Sequence, residues 1–176
     1  MTTTHATDRQ GGSETIAILQ SELAGKYMTF KLAKEEYALQ ILKVREIIGL
    51  MDITRVPRTE GFVRGVINLR GKVISVVDLR VKFGMPKVDA TDQTVIIVVQ
   101  FRHGGNDMTM GILVDEVVEV LDIKGEQIEP PPSFGAATID TDYILGVGKT
   151  DMRVIFLLDI DKVLSPDVIA QLQSLS

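Results

Sequence analysis

Residues 65–83, GVINLRGKVISVVDLRVKF, can be laid without a gap on residues 146–164, GVGKTDMRVIFLLDIDKVL. Gly65 meets Gly146, Ile74 meets Ile155 and Asp78 meets Asp159. Just upstream, Phe62-Val63 meets Tyr143-Ile144, and Val44, Glu46 and Ile47 can be laid on Val117, Glu119 and Val120. Valine-rich strands match one another readily by chance, but coincident glycines, aspartates and glutamates lie outside that background. The chain reads as an internal duplication, so each half has to fold as the same small unit.

Within each unit the apolar residues recur with the period of a strand. Met28, Phe30 and Leu32 alternate with Thr29 and Lys31. EEYAL and VREII read as further strands, joined by a tight passage at residues 40–43. GVINLR, the turn Arg70-Gly71-Lys72 and VISVVDL read as a hairpin, closed by one helical turn over residues 79–84. In the second half TVIIVVQF, MTMGILV, VVEVL, YILGVG and RVIFLLDI are strand-like, with a glycine turn in FRHGGND. The prolines of EPPPSFG remove three backbone donors and exclude regular structure there. About five strands per half suit a small closed barrel. The expected fold is all-β, with a first barrel over residues 26–88 and a second over 89–164. A strand exchanged between the barrels is compatible with that division. Residues 1–25 are expected to form a disordered or partly helical tail, Ile16, Leu19 and Leu23 having helical spacing. Ser165 as N-cap and Pro166 in the first turn open an expected C-terminal helix over 165–176.

Catalytic chemistry is hard to place on this chain. Cysteine is absent, which removes disulfides, thiol nucleophiles and thiolate zinc sites. The two histidines, His5 in the polar tail and His103 beside Gly104-Gly105, lack triad or metal-ligand spacing. Neither a phosphate-binding loop nor a dinucleotide fingerprint occurs. Asp140 and Asp142 make a poor calcium site without further oxygens. Asp159 and Asp161 follow a strand and read as a helix cap, with Asp78 in the matching place. The chain is read as a non-enzyme without metal or cofactor. No apolar run reaches 18 residues and the start lacks the signal-peptide pattern, so membrane insertion is not expected and a soluble, cytoplasmic protein is.

The net charge of −5 conceals a split. Residues 26–87 carry 13 basic and 6 acidic side chains, whereas residues 88–176 carry 5 and 15. Two poles of this kind suit a molecule that meets protein partners in a fixed orientation. Arg70, Lys72, Arg80 and Lys82 read as a basic face, and a small barrel binding nucleic acid through it is the alternative function. Aromatic residues are only 5% of the chain, too few for a stacking platform, and nucleic acid is not the expected partner. VREII mixes apolar and charged residues on both faces, which points to apolar atoms turned outward on a partner surface.

YALQILKVREIIG, ITRVP, FVRGVINLRGKVISVVDLRVKFGMP and GILVDEV before a proline-rich loop resemble the CheW family of chemotaxis coupling proteins. The resemblance spans residues 26 to 165, and INLRGKVI-x-V-x-DLR is its most specific stretch. It implies two five-stranded SH3-like barrels in tandem and a non-catalytic adaptor that couples chemoreceptor tips to the CheA histidine kinase in signalling arrays. The implied partners are the CheA regulatory domain and the cytoplasmic hairpin of a methyl-accepting chemoreceptor. Carried over one by one, Val44, Glu46, Ile47, Arg70 and Val95 fall where receptor contact is expected. Ile53, Val56 and Pro57 fall in the region expected against the kinase, and Phe134 at a second kinase or ring contact. The sequence departs from the family there, with Glu129 in place of a basic residue sometimes found in that loop. Glu46 and Arg70 are expected to pair at the barrel rim, flanked by Val44 and Val95.

Overall fold

The duplicated sequence folds the same way twice, down to individual hydrogen bonds. The computed structural model describes residues 14–59, 61–131 and 141–164. In chain order the elements are α1 (14–23), β1 (Gly25–Leu32), β2 (Glu35–Gln40), β3 (Val44–Gly49), β4 (Val63–Leu69), β5 (Lys72–Asp78) and α2 (Leu79–Lys82). Then follow β6 (Val95–His103), β7 (Asn106–Val114), β8 (Glu116–Ile123), β9 (Ile128–Glu129), β10 (Ile144–Thr150), β11 (Arg153–Leu158) and α3 (Ile160–Val163). The expected C-terminal helix and the first residues of the tail lie outside the described residues. The helical part of the tail is α1, and the passage between β2 and β3 is a single 3-10 turn, Ile41–Lys43.

The β4–β5 and β10–β11 hairpins turn through two residues in the left-handed region, Arg70 and Gly71 in one and Asp151 and Met152 in the other. Positive φ at both central residues matches the right-handed twist of the flanking strands. The two hairpins break register at matching places, between Val63 and Gly65 and between Ile144 and Gly146. The Asp78 amide donates to the Phe62 carbonyl at 2.7 Å, and Asp159 repeats this with Tyr143 at 2.8 Å. The Asp78 carboxylate accepts from the Val81 amide and that of Asp159 from the Lys162 amide, so both aspartates are helix N-caps, as their spacing suggested.

The two sheets do not follow a cut between residues 88 and 89. One has the order β3-β6-β7-β5-β4 and the other β8-β1-β2-β11-β10-β9. Each repeat runs hairpin, strand, hairpin, and the leading hairpins change places. β1–β2 joins the sheet of the second repeat through parallel pairing of β2 with β11, and β6–β7 joins that of the first through β7 with β5. The exchange is therefore a whole hairpin each way rather than one strand. The second sheet also has a sixth strand, the two-residue β9. Its counterpart in the first sheet is the isolated bridge between Thr54 and Val66.

Both faces of the exchanged hairpins are buried, which explains their near-continuous apolar runs. In β6, Ile96 and Val98 fill the interior of one barrel with Ile67, Ile74 and Val76. Ile97, Val99 and Phe101 point the other way, into a core shared by both barrels. Tyr27 and Ala38 likewise enter the second barrel's interior, while Met28, Phe30, Tyr37 and Leu39 join the shared core. Tyr37 lies at its centre, with ring centroids 5.9 Å from Phe30, 5.8 Å from Phe83 and 5.6 Å from Phe156. Each barrel thus contributes a hairpin to the other and shares a third core with it.

Exchange also dilutes the charge split. Residues 44–114, which hold the first sheet, carry 10 basic and 7 acidic side chains, and residues 25–43 with 115–164 carry 8 and 13. The poles keep their signs but are weaker than the linear halves suggest.

Candidate docking surfaces

β3 ends one sheet and, among the described residues, pairs with β6 alone, which leaves its outer edge without a ladder partner. A bulge at Arg45, between the pairs Val44–Val99 and Glu46–Val98, twists this edge. Val44 packs against the shared core and Ile48 against the first barrel's interior, while Ile47 is left 41% exposed. An apolar side chain is therefore turned outward on this strand, as the mixed pattern of VREII suggested. The second repeat carries the same device: β8 bulges between Thr29–Glu119 and Phe30–Val117, and Val120 is exposed.

Arg70 sits on the β4–β5 turn, at the opposite end of the sheet order from β3. Curling of the sheet brings the two ends together, and the Arg70 guanidinium donates to the Glu46 carboxylate. Asn68 stiffens the turn by accepting from the Gly71 amide at 2.8 Å. The expected pair is thus present at the rim, beside Val44 and Ile47. Val95 stands apart from it. It pairs with Gly49 at the other end of β3, three residues along β6 from Glu46's partner, or about 10 Å. In the second barrel Arg153, which aligns with Lys72 and not with Arg70, reaches Glu119 of β8 at 3.4 Å and Glu36 of the neighbouring β2 at 2.5 Å. These carboxylates hold its guanidinium protonated even further above its usual range.

Ile53, Val56 and Pro57 come together around one cavity of about 300 Å³. It lies between the segment after β3 and the start of β4, and Arg55, Arg58, Arg64 and Lys87 complete its wall. Sequence reasoning missed this basic lining. TRVPR displays Arg55 and Arg58 on either side of Val56-Pro57, but Arg64 and Lys87 arrive from elsewhere in the chain.

Three cations of the basic face read from Arg70, Lys72, Arg80 and Lys82 are engaged by other groups. Arg70 is taken by Glu46, Arg80 by Asp115 at 2.9 Å, and the Lys82 ammonium lies 4.6 Å from the centre of the Phe62 ring. Asp161, read as a cap partner, accepts from Lys43 at 3.1 Å and from the Arg102 amide at 3.0 Å. His103 is the last residue of β6 and not part of the turn. Glu129 pairs with Lys149 at 2.5 Å. Phe134 lies outside the described residues. Among the described residues no cluster of three or more potential metal ligands occurs, and no helix is long and apolar enough to cross a membrane.

A family model described as the CheW-like domain matches residues 26–167. The chain belongs to the CheW-like family. It is 41% identical over 160 residues to the chemotaxis protein CheW of Klebsiella aerogenes, covering 90% of this chain and 93% of that protein. It is 34% identical over 143 residues to CheW of Bacillus subtilis, covering 81% and 88%. A crystal structure of the scaffolding protein TtCheW from Thermoanaerobacter tengcongensis is similar, with a TM-score of 0.71, 38% identity, and coverage of 82% of this chain and 90% of that one. Membership in the CheW-like family makes this chain a non-catalytic chemotaxis adaptor of tandem SH3-like barrels. It gives the nucleic-acid alternative no support.

Proposed function

We propose that the chain bridges a chemoreceptor to the CheA histidine kinase, holding each on a different part of the first barrel. The receptor's cytoplasmic hairpin is read onto the β3 edge and rim, with Val44, Ile47 and the Glu46–Arg70 pair in contact and Val95 at the far end of the same edge. The kinase regulatory domain is read onto Ile53, Val56 and Pro57. Phe134 is read as a second contact that extends the assembly into rings at membrane-associated arrays in the cytoplasm. The observation that supports this reading is that Ile47 is exposed on the β3 edge, while Ile53, Val56 and Pro57 line a cavity that includes none of the edge residues. An adaptor needs two sites that do not compete, so that receptor state can bias kinase state. The test is receptor-dependent kinase activity in reconstituted membranes. Ile47→Asp should abolish activation while leaving kinase binding intact, and Val56→Asp should abolish kinase binding while leaving receptor binding intact. Loss of both bindings from either folded variant would overturn the division of surfaces.

A further inference from the structure

The cavity around Val56 combines apolar and cationic walls in a way that specifies its occupant. Ile53, Val56 and Pro57 supply the apolar side, and Arg55, Arg58 and Lys87 the positive side. These three cations have no carboxylate partner among the described residues, and unlike other unpaired lysines and arginines they line one cavity together. The fourth cation, Arg64, is tied to Asp78 at 3.4 Å and anchors the wall. Arg58 is held at φ 65°, a left-handed conformation that non-glycine residues rarely adopt. The Thr59 hydroxyl, donating to the Val56 carbonyl at 3.0 Å, fixes the turn that carries it. Three like charges converge on one concavity with no carboxylate partner among the described residues, on a backbone held in an uncommon conformation. Such sites select an anion.

We propose that this cavity reads a carboxylate: it takes an acidic segment of the docked partner protein, an aspartate or glutamate beside an apolar side chain. The arginines grip the carboxylate through charge-assisted hydrogen bonds, with Lys87 adding a point charge. Ile53, Val56 and Pro57 cover the neighbouring apolar group. A free inorganic anion would leave that apolar wall uncovered, and the wall holds no aromatic ring on which a base could stack. The proposal rests on the kinase-docking reading above and adds the chemistry by which docking is selected.

The test is binding of the CheA regulatory domain to the full chain at 50 and 300 mM NaCl, by calorimetry. The Arg55→Gln/Arg58→Gln/Lys87→Gln chain is compared with Val56→Asp and with the unsubstituted chain. The unsubstituted chain should bind more weakly as salt rises, because salt screens the attraction that steers the acidic segment to the exposed cations. The neutralised chain should bind at least tenfold more weakly at 50 mM and lose most of that salt dependence, with its melting temperature unchanged. If the triple variant melts early, Lys87→Gln alone, remote in sequence from the turn, should still flatten the salt response. Neutralised binding within twofold of the unsubstituted chain and equally salt-dependent, with binding abolished by Val56→Asp, would overturn the carboxylate proposal and leave the docking reading standing. Unchanged binding by both variants would place the kinase elsewhere and remove both.

Discussion

Replacing Arg70 by alanine should separate docking from folding. The Arg70 side chain is 70% exposed and that of Glu46 32%, so the pair belongs to the solvated class worth about 0.2–1 kcal/mol. The backbone adds nothing to this difference. Arg70 sits at φ 53°, and alanine meets the same left-handed cost as arginine there. The Asn68 bond to the Gly71 amide survives the substitution and keeps the turn. For a chain of this size about 1 kcal/mol moves the melting temperature by roughly 2–4 °C, which bounds the expected loss. Docking should respond more strongly. Under a partner the pair is desolvated, and removing one member then costs about 2 kcal/mol or more, roughly a thirtyfold loss of affinity. Arg70→Lys keeps the charge but not the fork and should fall between the two. Calorimetric titration with a receptor hairpin, alongside a thermal melt, measures both effects. A fall in melting temperature beyond about 8 °C, or receptor affinity unchanged in Arg70→Ala, would refute the reasoning.

The duplicated aspartates should differ in cost. Asp78 is buried and pairs with Arg64 as well as capping α2, so Asp78→Ala should destabilise by about 2–4 kcal/mol, whereas half-buried Asp159 should lose about 1 kcal/mol in urea unfolding. Gly65→Ala would place a Cβ 2.1 Å from the Thr54 carbonyl oxygen at φ 139°, so it should cost at least about 2 kcal/mol and break the Thr54–Val66 bridge, visible as fast amide exchange there. Burial, and then the charge of Glu35, push the Tyr37 hydroxyl up to about 12 from its ordinary 10.0. The native state holds this proton more tightly than the unfolded chain. Its contribution is therefore complete below about pH 10 and is lost as pH rises towards 12, which urea midpoints at pH 9 and pH 11 should register.

Much of the fold was legible because local rules and the repeat agreed. Period-two alternation located the strands, and matched Gly and Asp positions located the caps and the repeated hairpin; the bulges were not read. The exchange of hairpins was not legible. β2 presents the same kind of strand edge to β11 that β7 presents to β5, and the parallel pairs Leu157–Ala38 and Val76–Gly111 occupy equivalent positions in the two sheets. Strand patterning alone does not distinguish a hairpin that stays with its own repeat from one that crosses. The docking residues divide along the same line. Glu46 and Arg70 could be paired from alternation and family resemblance, although curling of the sheet is what brings them together. Arg64 and Lys87 joined Val56 only through tertiary packing. The basic face read from Arg70, Lys72, Arg80 and Lys82 was weakened for the converse reason: three of the four cations find partners far away in sequence.

An adaptor with two separate surfaces must hold both partners at once. Sedimentation velocity of the chain mixed with the CheA regulatory domain and a receptor cytoplasmic hairpin, each at several times its own dissociation constant, measures this directly. The account predicts a ternary species that sediments faster than either binary complex, with each partner's affinity unchanged or increased by the other. Two binary complexes that displace each other, with no ternary boundary at any ratio, would contradict it.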